Sequence, residues 1–102
     1  MKVKGFKDIT GQEFLADVVK TDNVKGVKVW TLKNATCFMP TENGIVPMPY
    51  AFLGLKKDPK IEISDDKLLI SSFDVEERLA NQYKQLYGGI VESESKLILP
   101  NS

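Results

Sequence analysis

Gln12-Glu13-Phe14-Leu15-Ala16-Asp17-Val18-Val19-Lys20-Thr21, followed by Asp22-Asn23-Val24-Lys25-Gly26 and then Val27-Lys28-Val29-Trp30-Thr31-Leu32-Lys33, is the stretch whose reading decides the fold. In a strand, alternate side chains point to opposite faces. Phe14, Ala16 and Val18 therefore share one apolar face, and Glu13, Leu15, Asp17 and Val19 share a mixed one. Residues 22–26 form a hairpin loop, where Asn23 and Gly26 are the residues able to take positive φ. Val27–Met39, rich in β-branched and aromatic residues, continues as a long third strand ending at Pro40.

Outward from this hairpin, glycine and proline cut the first 70 residues into short extended pieces. Lys2–Lys7 is a strand closed by a turn at Asp8-Ile9-Thr10-Gly11. Thr41-Glu42-Asn43-Gly44 is a second tight turn, with the Asn-Gly pair that favours hairpins. Ile45–Leu55 is a fourth strand, and the two-residue spacing of Pro47 and Pro49 puts both missing N–H donors on one side, which predicts an edge strand. Lys56-Lys57-Asp58-Pro59-Lys60 is a basic turn, and Ile61–Ser71 is a fifth strand with an irregularity at Asp65-Asp66.

The period then changes. Asp74-Val75-Glu76-Glu77 reads as a capping-box start, and Val75, Leu79, Tyr83, Leu86 and Tyr87 recur at helical spacing until Gly88-Gly89. The spacing predicts an amphipathic helix over 74–87 whose stripe packs on the sheet. Residues 90–102 are read as a tail, either frayed or holding one more short strand. The expected fold is mainly β: a strongly bent five-stranded antiparallel sheet or small open barrel, Sm-like or SH3-like, with a C-terminal α-helix. An OB-fold ranks lower because no 3.6-period segment separates the third and fourth strands.

Composition narrows the chemistry. The chain has 102 residues, no histidine and one cysteine. Histidine-based nucleophile systems and His-ligated metals are excluded, as are an internal disulfide and a four-cysteine zinc site. Asp8-Ile9-Thr10-Gly11 lacks the uninterrupted Asp-Thr-Gly of dimeric aspartic proteases, since Ile9 intervenes. Cys37 beside Phe38 reads as a small buried hydrophobe. The sequence predicts no enzyme, no cofactor and no metal. Met1-Lys2-Val3-Lys4 leads into no apolar signal core, and the uncharged stretch 44–55 is too short and broken to span a bilayer, so a soluble, cytoplasmic protein is expected.

Charge then points to binding. Fourteen bases balance fourteen acids, but residues 1–60 hold ten lysines against six acids, and residues 61–102 hold four bases against eight acids. Lysines gather at the second-to-third strand loop (Lys20, Lys25, Lys28) and the fourth-to-fifth strand loop (Lys56, Lys57, Lys60). A five-stranded barrel of this type is expected to bring the two loops close together. Lys25, Lys56, Lys57 and Lys60 are the candidate phosphate contacts, and Asn23 is the candidate base contact. Trp30, Phe38, Tyr50 and Phe52 are core residues or stacking rings.

Phe6-Lys7-Asp8-Ile9-Thr10-Gly11-Gln12-Glu13-Phe14-Leu15-Ala16-Asp17-Val18-Val19, with Asp22 and then Trp30-Thr31-Leu32-Lys33-Asn34-Ala35, resembles the small Sm/LSm-like (Hfq-like) proteins of marine cyanobacterial phages. The resemblance covers residues 3–88. It implies a bent five-stranded sheet, a homo-oligomeric ring built by strand pairing between neighbours, and RNA or single-stranded DNA held around the pore. The chain departs from the common Sm pattern in three ways. Asp22-Asn23-Val24-Lys25 keeps the loop aspartate but not its spacing, Lys56-Lys57-Asp58-Pro59-Lys60 stands where Arg-Gly is usual, and the helix is C-terminal. The alternative function is a structural or adaptor ring of a phage particle that makes protein contacts only.

Overall fold

A computed structural model describes residues 1–51 and 60–88. Among the described residues, six strands form one curled antiparallel sheet: β1 (Val3–Asp8), β2 (Glu13–Val24), β3 (Val27–Thr41), β4 (Gly44–Pro49), β5 (Lys60–Ser64) and β6 (Leu68–Phe73). A 3₁₀ turn, Asp65–Lys67, lies between β5 and β6, and the helix α1 spans Glu77–Tyr87. The order across the sheet is β4-β3-β2-β1-β6, and β5 pairs with β3. The predicted fifth strand is thus one path broken at Asp65. Its first half lies along β3, with Ile63 opposite Trp30, and its second half lies along β1. This change of partner curls the sheet into a half-barrel, the mainly β architecture expected from the sequence.

Two bulges sharpen the curl. Leu15 faces Thr36 but Asp17 faces Lys33, so β3 carries one extra residue near Asn34, whose φ is 56°. Val18 faces Leu32 and Lys20 faces Thr31, so β2 carries one extra residue at Val19. Bulges raise the local twist and bend the strand that holds them.

The concave face collects the predicted apolar set. Phe6, Phe14, Ala16, Trp30, Leu32 and Cys37 are buried together, with Val18, Tyr50, Ile61 and Ile63 packed against them. Phe6 stacks on Phe14 and meets Trp30 edge-on at 5.3 Å. Burying a side chain such as Phe14 or Leu32 contributes ~1.5–3 kcal/mol. Leu15, on the mixed face of β2, is also buried, because α1 crosses the outer surface there. Gly5 lies opposite both Leu15 and Phe73. A Cβ at this glycine would stand 2.3 Å from the Phe73 ring, so only glycine admits that ring.

The helix begins three residues later than the sequence predicts. Glu76 occupies the N-cap without a side-chain cap hydrogen bond, and Asp74 instead pairs with Lys4 of β1 at 2.7 Å. The capping-box reading is therefore corrected: a tertiary ion pair has taken the capping aspartate. Of the stripe, Tyr83 is fully buried, whereas Leu86 remains exposed. The fourth strand ends at Pro49, ahead of a turn at Tyr50-Ala51, and residues 52–55 lie outside the described residues. So does the predicted tail.

Candidate nucleic-acid interface and sheet edges

The β2–β3 hairpin closes through Lys25 and Gly26, with φ of 53° and 83°, between the paired residues Val24 and Val27. Two successive positive φ values define the type I′ turn that matches strand twist. The sequence reading named Asn23 and Gly26 for positive φ, and Gly26 takes it while Lys25 stands in Asn23's place. Asn23 stays in the ladder opposite Lys28, and its Oδ1 accepts the Gly26 N–H at 3.0 Å. Of the side-chain amide offered for a base edge, the carbonyl oxygen is thus engaged in the turn. Lys25 is exposed at the hairpin tip.

Lys60 begins β5 directly opposite Lys33, while Ser64 at the other end of β5 lies opposite Val29. Because β5 runs antiparallel to β3, its start is the end farther from the hairpin tip. Val27 and Lys33 are six residues apart on β3, or ~20 Å along a strand. The structure therefore separates Lys25 from Lys60, which the sequence reading expected to lie close together. Lys56 and Lys57 lie outside the described residues, as does Phe52.

The aromatic candidates divide. Trp30 is 6% exposed and belongs to the core; its Nε1 donates to Asp65 Oδ1 at 2.9 Å, and Lys28 Nζ sits 4.8 Å from its ring centre. This bond ties the 3₁₀ turn to β3. Tyr50 stacks on Phe14 at 4.1 Å between centroids. Phe38 is half-buried beside α1 and Pro47.

Two polar centres were not foreseen. Asp8 Oδ1 accepts from the Thr10 hydroxyl (2.6 Å) and from the amides of Thr10 and Gln12, while its Oδ2 accepts from the Tyr50 hydroxyl at 2.7 Å. Burial opposes ionisation of Asp8, yet the hydrogen bonds from Thr10, Tyr50 and Gln12 outweigh it and lower its pKa. Burial, then the bond to Asp8 and its charge, push Tyr50 up to about 12. Burial, followed by the same aspartate charge, raises Cys37. This is a turn-organising centre: Gly11 N–H closes the β-turn on the Asp8 carbonyl at 2.9 Å, the plain turn read from the sequence. At the second centre, Tyr83 Oη donates to the carbonyls of Lys33 and Asn34, and Tyr87 Oη shares a hydrogen bond with Thr36 Oγ1. The helix is thereby pinned on the β3 bulge. The Asp-x-Thr-Gly pattern could have signalled the first centre; the second depends on contacts some fifty residues apart and leaves no local signature.

Among the described residues, β4 pairs with β3 alone and β6 pairs with β1 alone. Both edges carry exposed apolar side chains: Ile45, Val46 and Met48 on β4, Leu69 and Ile70 on β6. Among the described residues, no cluster of three or more His, Cys, Asp or Glu could hold a metal ion, and no helix is long and apolar enough to cross a membrane. Comparison with family models, curated proteins and solved structures finds no match.

Proposed function

We propose that this chain is a non-enzymatic, Sm-like protein that assembles into homo-oligomeric rings and binds RNA or single-stranded DNA. The observation that carries assembly is the pair of unlike sheet edges, β4 and β6, each with one strand partner among the described residues and with exposed apolar residues. Pairing one edge with the other edge of a neighbour is a heterologous contact, which closes into a ring when the rotation permits. Assembly multiplies every lysine by the subunit count. A neutral chain can thus present a ring of positive charge from Lys25 at the hairpin tip, with Lys56, Lys57 and Lys60 adding phosphate contacts and Asn23 a base contact.

Titration of a fluorescent oligouridine and its DNA counterpart, at low and moderate salt, tests the binding. Solution mass measured on the same samples tests the assembly. The reading expects an oligomer, binding that weakens as salt rises, and loss of affinity in the Lys56→Ala/Lys57→Ala double variant. An oligomer indifferent to nucleic acid at both salt concentrations would replace it with a ring that makes protein contacts only.

A further inference from the structure

The β2–β3 hairpin runs past its neighbours. The ladder with β1 stops near Val18, whose N–H donates to the Lys2 carbonyl at 2.9 Å, and the ladder with β5 stops at Val29, opposite Ser64. Beyond Val29 the described sheet is two strands wide. Asn23 faces Lys28, Val24 faces Val27, and Lys25-Gly26 close the turn. Every residue from Val19 to Lys28 is exposed. The three steps from Val29 to the turn project ~10 Å at the rise of a strand.

The two faces of this arm differ. By strand alternation, Thr21, Asn23 and Lys28 lie on the face of Trp30, whereas Val24 and Val27, 51% and 36% exposed, lie on the other. Residues 19–28 hold three lysines against one acid. That acid, Asp22, is on the valine face and pairs with Lys20 at 3.5 Å, so the polar face carries no carboxylate. Lys28 Nζ is placed over the Trp30 ring, 4.8 Å from its centre. Because Asn23 Oδ1 accepts the Gly26 N–H, Nδ2 is the end of that amide left for a further partner, and it can only donate. The polar face and tip therefore present donors: Asn23 Nδ2, Lys28 Nζ and Lys25 Nζ.

We infer that this arm enters the major groove of double-stranded DNA. That groove, about 12 Å wide and about 8.5 Å deep, admits a two-stranded β-ribbon, and its depth is close to the projecting length of the arm. The minor groove, about 6 Å wide, is narrower than a ribbon with its side chains. Guanine presents its N7 and O6 acceptors in the major groove, the complement of a donor face, and thymine presents a methyl group to apolar residues such as Val24 and Val27. Lys20, at the base of the arm, stands at the level of the phosphates. An RNA duplex has a major groove too deep and narrow to be read in this way. Single strands are held by stacking on aromatic rings, and residues 19–28 contain none. The inference rests on the proposed nucleic-acid binding, for which it names the duplex, and not on ring assembly.

Fluorescence anisotropy of the full chain with a short labelled DNA duplex of mixed sequence, with its two separate strands and with the matching RNA duplex tests the proposal. The DNA duplex should bind more tightly than the other three. Dimethyl sulfate applied to the saturated complex reads the groove: methylation of guanine N7, in the major groove, should fall, while adenine N3, in the minor groove, stays reactive. Lys25→Ala/Lys28→Ala should weaken duplex binding by about tenfold or more. Arg78→Ala/Lys84→Ala, which removes the same charge from α1, should leave it unchanged. The footprint uses the parent chain and stands even where a variant fails to fold. Equal affinity for the duplex and its separate strands overturns the inference, as do protection of adenine N3 in place of guanine N7 and equal losses in the two double variants. Single strands bound without the duplex overturn it and leave the nucleic-acid reading in place; no binding to any of the four oligonucleotides ends both.

Discussion

The hydroxyl of Tyr83 lies 3.0 Å from the carbonyl oxygen of Asn34, a residue held at positive φ within the β3 bulge. One helix residue thus meets two successive carbonyls at the bulge, since the same hydroxyl also donates to Lys33 O at 2.9 Å. The helix therefore docks on the very residues at which the sheet bends.

Tyr83→Phe keeps the ring and removes the donor that the Lys33 and Asn34 carbonyls share, while Asn34 O keeps its bond from Thr36 Oγ1. The expected cost is ~0.5–1.5 kcal/mol, read as a lower urea midpoint at unchanged slope. A midpoint equal to that of the parent chain would show that water replaces the hydroxyl at no cost.

Gly5→Ala drives a methyl into the Phe73 ring, whose nearest atoms lie 2.3–2.8 Å from the new Cβ. Overpacking of this kind costs ~1–3 kcal/mol. Phe73→Leu in the same chain should return part of that loss, so the two substitutions couple in a double-mutant cycle, whereas additivity would place the strain elsewhere.

Lys25→Asn tests fold against function at one position. Asparagine tolerates the left-handed backbone of a type I′ turn better than lysine, and the substitution should stabilise the hairpin by ~0.5 kcal/mol. If Lys25 contacts phosphate, the same variant binds oligonucleotide more weakly although its thermal midpoint rises.

Acid stability should follow Asp8. Its folded pKa lies below the unfolded one, so its contribution is complete above the unfolded value, ~4, and is lost as pH falls through the folded value. Asp8→Asn should lower stability at neutral pH and flatten this acid limb, as seen in unfolding midpoints measured from pH 7 down to pH 2.

The alkaline limb has the opposite sign. Tyr50 titrates near 12 in the folded chain against about 10 in the unfolded one, so its contribution is present below pH 10 and disappears between 10 and 12. Tyr50→Phe should make that limb shallower in the same unfolding series, and an unchanged slope would assign the loss to other groups.

Much of the architecture is written in local pattern. The alternation of Phe14, Ala16 and Val18 names the concave face, and Pro47 with Pro49 names the edge strand and the side on which its donors are missing. Asp65-Asp66 marks the break in the fifth strand. The change of partner at that break is illegible locally, because β3 and β1 become neighbours of one segment only through pairings distant in sequence. The helix start is misread for a related reason: Asp74 has cap chemistry, but Lys4, seventy residues away, claims it. The separation of Lys25 from Lys60 is equally illegible, because the direction in which β5 runs along β3 decides it, and no loop composition encodes that direction.

The partner change at Asp65–Lys67 also orders events in time. β1 is complete by residue 8, yet the strand that pairs with its outer side is residues 68–73. During synthesis the β2–β3 ribbon can zip up from its own hairpin, a contact between near neighbours, long before β6 leaves the ribosome. β1 then has its β2 side alone paired until residues 68–73 follow. An unpaired strand edge is a template for mispairing, and this one stays unpaired until residues 68–73 are made.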